Sequence, residues 1–119
     1  MTGVTVVSWT NSIPGREQKG LEVFGKALAY FEDLAKKGRI HGHREYFSVT
    51  GKTSGFMLVE GDLEELAKIQ QEPETRKLNA QAAAIVQDFR VELYAGGSDH
   101  AIQQEITTYT EGLQELGYF

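Results

Sequence analysis

The sequence predicts an α+β domain: a four-stranded antiparallel sheet, two main helices on one of its faces, and one more helix at the C-terminus. Three observations carry this. The stretch Arg39–Gly61, RIHGHREYFSVTGKTSGFMLVEG, reads as two β-type runs around the turn signal Thr50-Gly51-Lys52-Thr53. A helical pattern lies on each side of that hairpin, with a further β run beyond each. The resulting order, β-α-β-β-α-β, puts both helices on the same face of the sheet, because β-α-β crossovers are right-handed. The first and third strands are then central, and both are apolar on both faces. Val4 and Val6 oppose Val7 and Trp9 on one; Phe56 and Leu58 oppose Met57 and Val59 on the other.

The elements follow in order. Val4–Trp9 is a valine-rich strand closed by Asn11 and Ser12. Pro14 suits the first turn of a helix that runs to about Lys37. Leu21, Phe24, Leu28, Phe31 and Ala35 form its apolar stripe, and Val23, Ala27, Tyr30 and Leu34 widen it, so this helix is expected to be well buried. Gly38 suits its C-terminal cap. After the hairpin, Asp62 is the expected N-cap of a helix, with Glu65 as its capping-box partner. Pro73 forces the preceding residue out of the helical region, so two helical pieces are expected, Leu63–Gln70 and Glu74–Val86. Phe89–Ala95 alternates as the last strand. Ser98 or Asp99 caps the final helix, whose seam is Ile102, Ile106, Tyr109, Leu113 and Leu116. We read residues 1–119 as one domain, with 3–96 forming the sheet-and-helix unit and 98–117 the C-terminal helix.

Composition narrows the function classes. A net charge of −5 with no basic block repels a phosphate backbone, so nucleic acid is not an expected partner. The chain has no cysteine, which removes disulfides, thiolate catalysis and Cys-ligated zinc and fits a reducing, cytoplasmic setting. MTGVTVVSWTN has neither the basic start nor the long apolar core of a signal peptide. The longest unbroken apolar run, Ala82–Val86, is too short to enter a membrane as a span.

Two helices cover only one sheet face. The other carries large apolar residues as well, and something must cover it. The last helix could do so within one chain, or a second subunit could do so sheet against sheet. We expect a homodimer; which parity of the central strands points inward is left open. Order, length and two-faced central strands together resemble the dimeric α/β-barrel superfamily, whose subunit is ferredoxin-like. That resemblance covers about residues 3–96. It is architectural and transfers no catalytic residue. It implies that two sheets meet to form a barrel, and that small molecules bind beside the sheet.

Several residues are candidates for chemistry. His41, His43 and Glu45 alternate along one strand, so their side chains are expected on one face. Imidazole and carboxylate at that spacing can hold a metal, or simply form a polar edge. With only three visible ligands we expect no tight metal and no cofactor. His43 is the expected acid–base group, because modest burial poises an imidazole near neutral pH. His41, Trp9, Arg90 and Tyr94 are the expected ligand-binding residues: Arg90 as an anion partner, Tyr94 as a phenol, Trp9 as an apolar wall. The alternative for the charged residues is a set of edge-strand ion pairs. Gly51-Lys52-Thr53 lacks the upstream glycine of a phosphate-binding loop. The adjacent Ser98-Asp99-His100 cannot face one another as a triad.

Three functions fit these residues. One is a small-molecule-binding barrel protein of unstated reaction. Another is a cofactor-independent monooxygenase or isomerase acting on a small carbonyl-rich compound. The last is a non-catalytic assembly module.

Overall fold

The computed structural model describes residues 1–119. Its elements are β1 (Thr2–Trp9), α1 (Glu17–Lys36), β2 (Gly42–Phe47), β3 (Gly55–Asp62), α2 (Leu63–Gln71), α3 (Pro73–Ile85), β4 (Arg90–Ala95) and α4 (Asp99–Glu115). The strands form one antiparallel sheet in the order β2-β3-β1-β4, so the two-faced strands β1 and β3 are central. No helix is long and apolar enough to cross a membrane.

The core settles which parity faces the helices. Val7, Met57 and Val59 are buried with Phe31 and Leu34 of α1, with Ile40, and with Leu66 and Ile69 of α2. Trp9 packs against the same cluster. Val4, Val6, Phe56 and Leu58 therefore point the other way. On that open face Arg44, Tyr46, Arg90, Glu92 and Tyr94 join them, as the pairings Leu58↔Arg44, Phe56↔Tyr46, Val6↔Glu92 and Val4↔Tyr94 require. Two glycines let α2 sit close on the covered face. A side chain at Gly3 would meet the Tyr94 carbonyl at 2.7 Å and Leu63 at 2.8 Å, and one at Gly61 would press on Leu66.

Two local expectations are corrected. α1 begins at Glu17 because Gly15 takes a left-handed conformation (φ 86°) and turns the chain after Pro14. Asp62 and Glu65 do not form a capping box: Asp62 makes no cap hydrogen bond, and its carboxylate accepts from the N-terminal ammonium at 3.3 Å. Glu65 is taken by Arg39, which donates to it at 2.7 Å and to both oxygens of Glu72 at 2.7 Å. This fork ties the start of the hairpin to the kink before Pro73, where Glu72 is extended (φ −74°, ψ 144°). The Glu72 carboxyl is held below its ordinary range by its hydrogen bond to Arg39, against a smaller opposing effect of burial.

α4 does not cover the open face in this chain. Ser98 caps it, accepting from the Ala101 amide at 3.2 Å, and Ala101 is buried where the helix leaves β4. Beyond that turn the seam is exposed: Ile106 is 53% and Tyr109 68% accessible. The molecule is accordingly elongated, 54 × 34 × 26 Å.

Candidate functional site

The covered face contains a cavity of about 290 Å³ between the sheet, α1 and α3. Its existence explains why α1 is less buried than its wide stripe predicts. Only Phe31 and Leu34 are fully buried; Val23, Phe24, Ala27 and Tyr30 are half-buried because they border space rather than packed atoms. On the sheet side the wall is Thr5, Val7, Trp9, Met57 and Val59. α3 contributes Thr75, Leu78, Asn79, Ala82 and Ile85. The exposed Ser12, Glu17 and Leu21 also border it, marking the end that opens to solvent.

Aromatic rings gather toward Trp9. Its indole meets Phe24 edge-on at 6.2 Å, and Phe24 lies 5.5 Å from Phe47. Gly55, paired with Trp9, leaves room for this arrangement, since a side chain there would come within 3.1 Å of the indole and 2.7 Å of the Tyr46 carbonyl. Polar groups on the wall are few. The Tyr30 and Thr75 hydroxyls share a hydrogen bond of 2.6 Å, and Asn79 donates to Gln70 at 3.2 Å. Thr5 is 2% accessible, and its hydroxyl has no hydrogen-bond partner within the protein. No Lys, Arg or His lines the cavity, and Glu17 is its one carboxylate, accepting from the Gly15 amide at 3.0 Å.

The residues expected to form a site divide between the two faces. Trp9 lines the cavity. His43 sits on the same face but outside it, against Phe31 (5.8 Å between ring centres), which does line it. Both His43 nitrogens are engaged, Nδ1 with Glu45 and Nε2 with Glu32 of α1, each at 2.6 Å. Its side chain is only 10% accessible. Burial alone lowers its pKa, but the hydrogen bonds and charges of Glu45 and Glu32 together outweigh burial and raise it. So clamped, His43 joins α1 to the edge strand; it has no free nitrogen to offer the cavity.

His41 does not share that face. β2 starts only at Gly42, and His41 lies in the preceding turn, its amide bonded to the Glu60 carbonyl at 2.8 Å. Strand alternation does not extend back to it. It borders a depression on the open face with Val4, Arg44, Leu58 and Glu60. His41, His43 and Glu45 therefore do not converge.

Arg90 and Tyr94 are also on the open face, paired with Ser8 and Val4, so Trp9 is across the sheet from them. Tyr94 donates to Glu92 at 2.9 Å, and that bond raises the phenol pKa. Arg44 donates to Glu60 at 2.9 Å, the kind of cross-strand ion pair expected of an edge. Sequence reasoning missed Thr5, Thr75 and Asn79. Thr5 reads as one more β-branched residue in a valine-rich strand, and the α3 pair requires knowing which side of that helix meets α1.

No family model and no curated protein matches the sequence. Solved structures do match. A dimeric ferredoxin-like protein of unknown function from Jannaschia sp. CCS1 superposes with a TM-score of 0.64 at 12% identity, over 81% of this chain and 100% of that one. A second dimeric protein of unknown function with a ferredoxin-like fold, from Bacteroides fragilis, gives 0.59 at 14% identity, over 78% and 94%. SnoaB from Streptomyces nogalater, a cofactor-independent oxygenase, gives 0.57 at 16% identity, over 82% and 96%. At these identities the likeness is one of fold. The chain has the ferredoxin-like architecture of the Jannaschia and Bacteroides proteins.

Proposed function

We propose that this chain binds a small, largely apolar molecule in the cavity and works as a homodimer joined through the open sheet face, in a cytoplasmic setting. The observation that carries the first part is the cavity itself: about 290 Å³, walled mainly by aliphatic and aromatic side chains, with a few convergent polar groups. Ligand sites are typically concave, mostly apolar, and from roughly 300 Å³ upward. Support for the dimer comes from the uncovered residues Val4, Val6, Phe56 and Leu58, from the exposed seam of α4, and from the dimeric state of the neighbours. An apolar sheet face and an apolar helix seam on one chain are more surface than a monomer ordinarily leaves in water. A thermal-shift screen of small aromatic and carbonyl compounds, with sedimentation on the same preparation, tests both parts. The expected result is a stabilised protein of twice the chain mass.

The likeness to SnoaB favours a second reading, a monooxygenase or isomerase that needs no cofactor and acts on a small carbonyl-rich compound. His43 is not offered as its base, because both ring nitrogens are occupied. Glu17, the carboxylate at the cavity, takes that place. Oxygen uptake or isomer formation with compounds that bind, lost in Glu17→Gln while binding persists, is the outcome expected of the enzyme. Binding without turnover leaves the binding protein.

A further inference from the structure

We infer that α4 is a clasp: its apolar seam docks on the second copy of the dimer, at the β4 margin of that copy's open face, with Glu105 against the partner's Arg90. The inference rests on the proposed homodimer. α4 is fixed at its base, where Ser98 caps it and Ala101 is buried. From there it leaves its own chain, and Ile102, Ile106, Tyr109 and Leu116 stay between 47% and 73% accessible. Their 4 and 3 spacing is that of a helix packed along its whole length. The charges of α4 are as one-sided as its seam. It carries Asp99, Glu105, Glu111 and Glu115 and no Lys or Arg. No ion pair within the chain uses any of the four. Glu115 stands in the last turn, where the negative end of the helix disfavours it. These carboxylates do nothing for their own subunit, and they suit a cation on another.

Charge selects the receiving surface. Arg44 on the open face is held by Glu60, and Glu92 accepts from Tyr94. Arg90, on the edge strand β4, makes no ion pair and is the cation this face leaves for a carboxylate from outside. On α4, Glu105 is three residues after Ile102 and four before Tyr109, so it lies beside the seam. Next to Arg90 along the same strand face, the Tyr94 ring is 48% accessible and offers apolar surface to the seam. Area points the same way. Four strands at ~4.8 Å and about six residues at ~3.3 Å give the open face a footprint of about 400 Å². A standard interface buries roughly 800 Å² per partner. α4 is about 25 Å long and about 10 Å wide. In a two-fold dimer each copy both gives one such helix and receives one, which brings the contact to the standard size.

The test is sedimentation equilibrium of the full chain as wild type, Ile106→Lys, Arg90→Glu, Glu105→Arg and the double variant Arg90→Glu/Glu105→Arg. Ile106 is 53% accessible in the single chain, so a lysine there leaves the subunit fold intact. Ile106→Lys is expected to weaken the dimer about a hundredfold, since each dimer would bury the new charge twice. Arg90→Glu and Glu105→Arg should each weaken it about tenfold, and the double variant should regain most of the loss. An Ile106→Lys dimer as tight as the wild type would overturn the inference, leaving the seam to its own chain or to another protein. A dimer weakened by Ile106→Lys but not restored by the charge exchange would also overturn it, and would set α4 against α4 of the second copy. A wild type that is monomeric at micromolar concentration would instead overturn the homodimer on which the inference rests.

Discussion

Adjacent residues of β3 lead different lives. Met57 points toward the helices and is 2% accessible; Leu58, one position on, points to the open face and is covered by no helix of its own chain. Both are large and apolar, and both lie on a central strand. The covered face uses its apolar residues to hold the fold together, and leaves a space among them. The open face carries the same kind of surface with no use for it inside one chain. Hydrophobicity therefore has two destinations on this sheet. One face folds the subunit and encloses the proposed ligand site; the other, in the proposed dimer, receives a second copy.

Substitutions at these two positions should behave differently. In a two-fold dimer each interface residue occurs twice, so Leu58→Lys would bury two unpaired charges, each costing about 3–5 kcal/mol. Sedimentation should show a monomer that still binds ligand. A folded Leu58→Lys dimer would break the proposal for the open face. Met57→Ala should cost about 2–4 kcal/mol of stability in urea unfolding, independently of protein concentration. Its effect is on the subunit, so its self-association should be unchanged when both proteins are fully folded.

A smaller effect sharpens the covered face. Thr5→Val removes a buried hydroxyl that has no partner, and should stabilise the ligand-free protein by about 1 kcal/mol, a few degrees in Tm. A lower Tm for the variant would mean that the hydroxyl is already satisfied.

The smallest expected effect is a pH dependence. The folded-state pKa of His43 is raised by Glu45 and Glu32, which together outweigh burial. Its contribution is therefore complete below the unfolded value of about 6.5. It is lost as pH rises through the folded-state value. Stability measured by urea midpoint from mildly acidic to mildly alkaline pH should fall across that window, and His43→Gln should flatten the decline. An identical slope in the variant would remove the clamp from the stability of α1 on β2.

Much of this contrast was legible in the sequence. The element order, the central places of β1 and β3, and the extended residue before Pro73 all follow from period, glycine and proline. Sequence also showed that both faces of the central strands are apolar. It could not show which face is which, because alternation is symmetric until a helix packs on one side. Trp9 was placed with Arg90 and Tyr94 for that reason, although they stand on opposite faces. His43 attracted a catalytic reading because Glu45 was visible two residues away, whereas Glu32, which occupies its other nitrogen, lies on α1. Glu65 was lost to Arg39 in the same way. Residues whose roles come from distant partners, or in the case of Thr5 from the lack of one, are legible only once the chain is folded.

Trp9 is the one tryptophan of the chain and lines the cavity, so its emission reports on the covered face alone. The most direct measurement is a titration of that emission, with a compound that stabilises the protein in the thermal-shift screen, in the wild type, Ala82→Phe and Leu58→Lys. The expected result is a saturable change with one site per chain, weakened in Ala82→Phe, whose ring fills the cavity, and preserved in Leu58→Lys. A change that never saturates, or one that Leu58→Lys abolishes and Ala82→Phe leaves intact, would contradict the division of labour between the two faces.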